Sequence, residues 1–326
     1  MRTALIDSPR KAVELICGGG LVAFPTETVF GLGVDATSDA AVRNLFAAKG
    51  RPSDNPLIVH VAEPSRWSDA AAELTPTAES LLDAFAPGPL TVVLPKRDTI
   101  STLVTGGLET VGVRVPNHPV AAEILRLADR PIAAPSANRS GRPSGTRWRS
   151  VLEDFEGRID AVYREDGPSL GVESTVVDCT GSVARVLRPG AVTIEQIRNV
   201  LPNAEVTTAE MTTAAAGQAT DAVRSPGTLH PHYQPQARVQ LIDSPTEVDL
   251  SDGRRVAYCG LLPIEAAESL TLAAVFENVD AYAEAFYEFL READRHEVST
   301  VYVQMAPKEG IGHALRDRQR RAAGMN

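Results

Sequence analysis

LVAFPTETVFGLG, residues 21–33, opens on an apolar run, turns at proline and then presents Thr26, Glu27 and Thr28. The first five residues read as a short buried strand. The helix before them is legible too: Ser8-Pro9 supplies a cap and a proline at the first helical position, and Ala12, Val13, Ile16 and Cys17 share one face. Gly18-Gly19-Gly20 stops that helix, and glycines placed before a strand are in the wrong order for a dinucleotide fingerprint. Working outward, a second helix is expected from about Ser38 to Lys49, with Val42, Leu45 and Phe46 at helical spacing. LIVHV (57–61), LTVVLP (90–95), VGVRVP (111–116) and PIAAP (131–135) read as strands, with helices near 76–85 and 119–129 between them. A polar loop at 136–147 precedes a short helix near 148–155 and three further strands, DAVYR (160–164), STVVD (174–178) and ARVLR (184–188). Strands and helices alternate without a strict βαβ period, which predicts a mixed α/β sheet.

A composition break follows at residues 207–222, Thr/Ala-rich and without amphipathic period. SPGTLHPHYQPQ (225–236) is richer in proline and histidine than a plain spacer, and from Arg238 a second α/β pattern begins. It runs RVQLI, RVAYCGLL, TLAAVF, a helix at about 278–294, TVYVQM and a closing basic helix near 311–323. The expected division is therefore 1–206, a linker at 207–237, and a small domain at 238–326.

With 326 residues, 43% hydrophobic and 23% charged, the chain has the composition of a globular protein of about two domains. Aromatics are only 5%, so cores of Val, Leu, Ile and Ala are expected. The net charge of −10 falls mostly on the second part: residues 1–200 carry 21 Lys+Arg against 24 Asp+Glu, residues 201–326 carry 11 against 18. That balance argues against a dedicated nucleic-acid binder, while leaving room for a cationic pocket. No apolar run is long enough for a membrane span, and MRTALIDSPRK breaks too early for a signal peptide. Cys17, Cys179 and Cys259 are odd in number and far apart, which fits a cytoplasmic location without disulfides.

There is no GxxxxGK[ST] P-loop and no GxSxG elbow. His230-x-His232 lacks a third ligand, so no metal site is expected there. Polar segments instead fall where strands end. Lys49, Arg51 and Asn55 lead into the strand that holds His60; Lys49 and Arg51 alone would also suit a solvated helix end. Arg114, between Val113 and Val115, sits in an apolar strand, and a buried arginine demands an anion. APSANRSGRPSG (134–145), GVESTVVD (171–178) and RVLRPG (185–190) add hydroxyls, amides and Arg188. Together these describe a pocket for a polyanion such as a nucleoside triphosphate.

PTETVFGLG, KGRPSDNPLIVHV, APGPLTVVL, VGVRVPNHP, APSANRSGRPS, GVESTVVD and VLRPGAV, in this order over residues 10–200, resemble the YrdC/Sua5 family of threonylcarbamoyl-AMP synthases. SPGTLHPHYQP and the small domain after it resemble the longer, two-domain Sua5 branch. Phe30 stands where the family often has tyrosine. The resemblance implies a YrdC-like twisted mixed sheet with a large concave cavity, a Rossmann-like C-terminal domain, and a linker reaching back to the cavity.

The implied reaction makes threonylcarbamoyl-adenylate and pyrophosphate from L-threonine, bicarbonate or CO2, and ATP with Mg2+, a nucleotidyltransfer that needs no protein nucleophile. Its product would go to a tRNA threonylcarbamoyl-transferase complex for the N6-threonylcarbamoyladenosine modification. The resemblance implies that Thr28, His60, Arg114, Ala134 and Ser174 hold threonine, with Arg114 on its carboxylate. Arg51, Asn55, Thr110, Ser136, Ser144, Arg188 and Tyr233 would hold ATP, and Lys49, Arg51, Ser136 and Asn138 would carry the catalytic step. An RNA-binding YrdC-like module with weak tRNA contact is one alternative. Carbamoyl transfer of the hydrogenase-maturation type is another, although it expects acylphosphatase-like and zinc-finger segments that are not visible here.

Overall fold

Ser38, Thr75, Thr193 and Asn278 each accept the backbone N–H of the residue three further on and so begin a helix. The computed structural model describes residues 2–165, 167, 169–208, 232–251, 253–265 and 267–325. Its helices are α1 (Pro9–Cys17), α2 (Asp39–Lys49), α3 (Pro76–Phe85), α4 (Pro119–Ala128), α5 (Trp148–Phe155), α6 (Ile194–Val200), α7 (Val279–Arg295) and α8 (Gly312–Ala322). Among the described residues none is long and apolar enough to cross a membrane.

The first sheet holds β1 (Ala4–Ile6), β2 (Val22–Phe24), β3 (Gly31–Asp35), β4 (Ile58–His60), β5 (Leu90–Pro95) and β6 (Thr110–Arg114). It continues with β7 (Ile132–Ala133), β8 (Ala161–Tyr163), β9 (Thr175–Asp178), β10 (Ala184–Arg188) and β11 (Val206–Thr208). Their spatial order is β1-β8-β2-β3-β7-β4-β6-β5-β9-β10-β11, with parallel and antiparallel neighbours intermixed. The expected mixed sheet is the one observed. β1, β3 and β11 are additions to the expected strands: β1 is a three-residue edge strand, β3 carries two glycines, and β11 runs two residues past the expected boundary at 206.

Alternation sorts the central strands into two faces. Val59, Val92, Val113 and Val177 enter the main hydrophobic core, each contributing about 1.5–3 kcal/mol by leaving water. Ile58, His60 and Arg114 therefore fall on the other face, and parallel pairing of β4 with β6 sets His60 directly beside Arg114.

β12 (Arg238–Ile242), β13 (Val256–Gly260), β14 (Leu272–Val275) and β15 (Thr300–Gln304) make a second, all-parallel sheet in the order β12-β15-β13-β14. Its core is more aromatic than the mainly aliphatic packing expected, because Tyr282, Phe286 and Tyr287, all from α7, are wholly buried. Eight of the 16 aromatics lie from Tyr233 onward, while the first sheet is packed mainly with Val, Leu and Ala. Val29 and Val172, from the first part of the chain, belong to this second core and join the two halves.

Candidate functional site

Arg114 ends β6 on the face opposite the main core. Its Nη2 donates to Thr28 Oγ1 at 2.9 Å and lies 2.8 Å from Glu27 Oε1. Both charged residues are buried, yet neither Glu27 oxygen nor Arg114 Nε has a hydrogen-bond partner. An ion pair so poorly satisfied, away from water, is the kind of arrangement a ligand completes. Next to it, burial and then the charge of Arg114 hold the His60 imidazole down to about 3, so it is neutral at physiological pH. Its Nδ1 is also without a partner.

The 134–145 loop is tied to the 25–33 segment by backbone hydrogen bonds from Phe30 to Gly145, Ala137 to Phe30 and Leu32 to Pro135. Lys49 pins the same loop from beneath, its Nζ donating to the carbonyls of Ser136 at 2.6 Å and Asn138 at 2.5 Å. The solvated-helix-end alternative is thereby excluded for Lys49, which is 2% exposed and whose pKa is pushed well down by burial and by Arg51. Ser136 Oγ donates to Asn138 Oδ1, and Asn138 Nδ2 donates to the carbonyls of Arg139 and Arg142. Arg51 Nη2 donates to Asn55 Oδ1 at 2.7 Å and to the Pro56 carbonyl at 2.8 Å. Burial lowers Arg51 to about 10, which still leaves it charged at neutral pH.

Arg188 ends β10 and donates to the Ser174 carbonyl and Oγ, while Ser174 Oγ also bonds Thr91 Oγ1 at 2.8 Å. Gly190 makes this approach possible: a Cβ there would lie 2.2 Å from the Thr175 nitrogen. Glu173 accepts hydrogen bonds from Ser144 Oγ at 2.7 Å, Tyr287 Oη at 2.9 Å and Arg318 Nε at 2.9 Å. Burial opposes its ionisation, but Arg318, Arg188 and the Ser144 hydroxyl outweigh that and hold the carboxyl at about 2. Tyr233 packs over this corner, its ring centre 5.2 Å from that of Tyr287.

Arg51, His60, Arg114, Ala134, Ser136, Ser174, Arg188 and Tyr233, all singled out from sequence, line one cavity together with Glu173 and His232. With Tyr233 and His232 in place its free volume is about 50 Å³, enough for a few waters. Thr28, Asn55 and Ser144 stand behind the lining, on Arg114, Arg51 and Glu173 respectively. Lys49 and Asn138 act on the loop. Thr110 is apart from the rest: it begins β6, four residues or about 13 Å of strand before Arg114, and is not in the lining. His230 and most of the 225–236 motif lie outside the described residues. Sequence reasoning missed Glu27 and Glu173, although each sits inside a quoted motif flanked by hydroxyl residues. It also missed Tyr287 and Arg318, which carried no local signal.

Guanidinium groups, hydroxyls and uncharged imidazoles converge on one enclosed space, a lining suited to anionic groups. Residues 14–190 match the Sua5/YciO/YrdC family model, described as telomere recombination, and residues 192–324 match the threonylcarbamoyl-AMP synthase C-terminal domain. The chain belongs to this family. A protein of Pyrococcus abyssi named threonylcarbamoyl-AMP synthase is 39% identical over 326 residues, covering 97% of this chain and 94% of the relative. One of the same name from Bacillus subtilis is 38% identical over 328 residues, covering 96% and 92%. The crystal structure of P. abyssi Sua5 complexed with L-threonine superposes with a TM-score of 0.87 at 35% identity, covering 99% of this chain and 98% of that one.

Proposed function

We propose that this chain is a threonylcarbamoyl-AMP synthase, a nucleotidyltransferase that joins L-threonine, bicarbonate or CO2, and ATP into threonylcarbamoyl-adenylate with release of pyrophosphate. The observation that carries the reading is the buried Arg114, held by Glu27 and Thr28 with hydrogen-bonding capacity left over, beside a neutral His60. An amino-acid carboxylate suits that arginine, and an uncharged imidazole beside it suits a hydroxyl. Likeness over nearly the whole chain to proteins named for this activity supports the same assignment.

The chemistry asks for positioning and charge stabilisation rather than a protein nucleophile. The threonine amine adds to CO2 and loses a proton; the resulting carbamate oxygen attacks the α-phosphorus and pyrophosphate departs. In this reading Arg114, Thr28, His60, Ala134 and Ser174 hold threonine. Arg51, Ser136 and Arg188 take the phosphates, and Asn55, Ser144 and Tyr233 support that side. Lys49 and Asn138 keep the 136–138 loop in shape for the step. Thr110 would serve ATP only where the nucleotide extends along β6. No group of three or more His, Cys, Asp or Glu fit to hold a metal occurs among the described residues. Mg2+ would enter with the triphosphate and would help neutralise the phosphates and the departing pyrophosphate. A cytoplasmic location and delivery of the adenylate to a tRNA-modifying transferase complete the proposal.

Incubation with ATP, Mg2+, labelled bicarbonate and each amino acid in turn tests it. A labelled adenylate with threonine, and little with serine or valine, is expected. Absence of any labelled adenylate, or equal yield with all amino acids, overturns it.

A further inference from the structure

Arg318 has no exposed surface, although it lies on α8, a helix rich in arginine. It belongs to the second domain, where Nη1 donates to the neighbouring Asp317 Oδ2, yet its other contacts are with the cavity side. Nε donates to Glu173 Oε2 at 2.9 Å and Nη2 to the Pro189 carbonyl at 3.0 Å, the residue after Arg188. Its guanidinium carbon stands 5.6 Å from the ring centre of Tyr233. Tyr287, also from the second domain, donates to the same Glu173 carboxylate, and Ser144 completes the set. Glu173 is thus a cavity-lining anion whose charge is answered from the other domain. Arg188 acts on that carboxylate as well. Without Arg318, Arg188 would be drawn to Glu173 and would compete poorly for phosphate, because a buried charge must find a partner.

We propose that Arg318 is a positioning residue for the ATP side of the cavity: by engaging Glu173 it keeps Arg188 in its place on Ser174 and makes the second domain part of ATP binding. The inference rests on the assignment of that side to ATP given above.

The full-length protein serves for the test, with separate ATP and threonine titrations of adenylate formation and an equilibrium measurement of ATP binding. Arg318→Met is expected to raise the KM for ATP about tenfold or more and to change the KM for threonine less than about threefold. Adding Glu173→Gln to that variant removes the charge that needed an answer, and should bring the ATP KM back to within about threefold of the parent. Arg318→Lys should fall between, and Tyr287→Phe should give a rise of about two- to fivefold. Should Arg318→Met not fold, the same ATP-selective rise in Arg318→Lys and Tyr287→Phe decides the matter. A purely structural seam would lower the folded fraction and kcat with both KM values unmoved, and Glu173→Gln would restore nothing; that pattern overturns the proposal. A parent that binds ATP but forms no adenylate would refute the synthase reading alone. Arg318 would then be judged on ATP Kd, and an unchanged value in Arg318→Met would overturn its role.

Discussion

Arg114 and Arg188 mark two walls of one cavity, and their supports come from different places. Around Arg114 every named partner, Glu27, Thr28 and His60, belongs to the first sheet or to the segment between β2 and β3. Around Arg188 the supports cross the domain seam: Glu173 is held by Tyr287 and Arg318, and Tyr233 comes from beyond the first sheet. One wall can therefore form as soon as the first sheet does. The other draws on both domains, Arg188 resting on Ser174 while Glu173 is met from the second domain.

The largest effect that could break this contrast is at Arg114 itself. Arg114→Gln should lower kcat/KM for threonine by roughly 10²–10³-fold, the worth of two charge-assisted hydrogen bonds at about 1.5–2 kcal/mol each. The KM for ATP should move little; a comparable loss for both substrates would mean the walls act as one. Next in size is removal of the second domain. A chain ending at Thr208, the close of β11, should still be stabilised against heat by threonine but no longer by ATP. Retention of the ATP-induced shift would show that the Arg188 wall stands without Tyr287 and Arg318.

Ser174 lies between the walls, bonded to Thr91 on one side and Arg188 on the other. A pocket that hydrogen-bonds the substrate hydroxyl rejects valine by about 10⁴ or more, while rejection of serine, lacking one methyl, is limited to about 10–200-fold. Ser174→Ala should narrow the threonine–valine gap by about tenfold with less change in the KM for ATP. An unaltered gap would take hydroxyl recognition away from Ser174.

The last effect concerns acid stability rather than turnover. His60 is neutral in the fold, with its pKa depressed to about 3 from 6.5. The unfolded chain therefore binds the proton first, so this contribution is full above about pH 6.5 and is lost as pH falls towards 3. Between pH 4 and 6, His60→Gln should reduce the slope of unfolding free energy against pH by up to about 1.4 kcal/mol per unit, one proton's worth. Denaturant titrations across that range measure it, and an unchanged slope would mean His60 is already charged in the fold.

The same division between walls explains how much could be read in advance. LTVVLP was legible as β5 because a continuous β-branched and aliphatic run has few alternatives. Helices opened by Thr75-Pro76 and His118-Pro119 were equally plain. GLGVD was not, because two glycines dilute the strand signal and only its neighbours β2 and β7 make it a central strand. At the site, Arg114 was conspicuous because a charge in an apolar strand has no ordinary reason to be there. Arg318 was invisible for the opposite reason. On α8 a buried arginine looks like its solvated neighbours, and its partner Glu173 is 145 residues away in sequence. Local pattern reports Arg188 and Ser174 on the second wall and is silent about Tyr287 and Arg318, which reach it from the other domain.

Gly171 sits on the seam with φ 70°, and a Cβ there would lie 2.3 Å from the Glu284 Cα and 2.4 Å from the Ala283 carbonyl oxygen. Those neighbours are backbone atoms of α7, which every amino acid possesses. In terms of sequence drift, the contact is one-sided: positions 283 and 284 can change their side chains without altering what residue 171 meets, whereas residue 171 can become nothing larger than glycine. A lineage of such proteins would be able to vary at the exposed position 284 and would stay fixed on the loop, although the two surfaces touch at the same point.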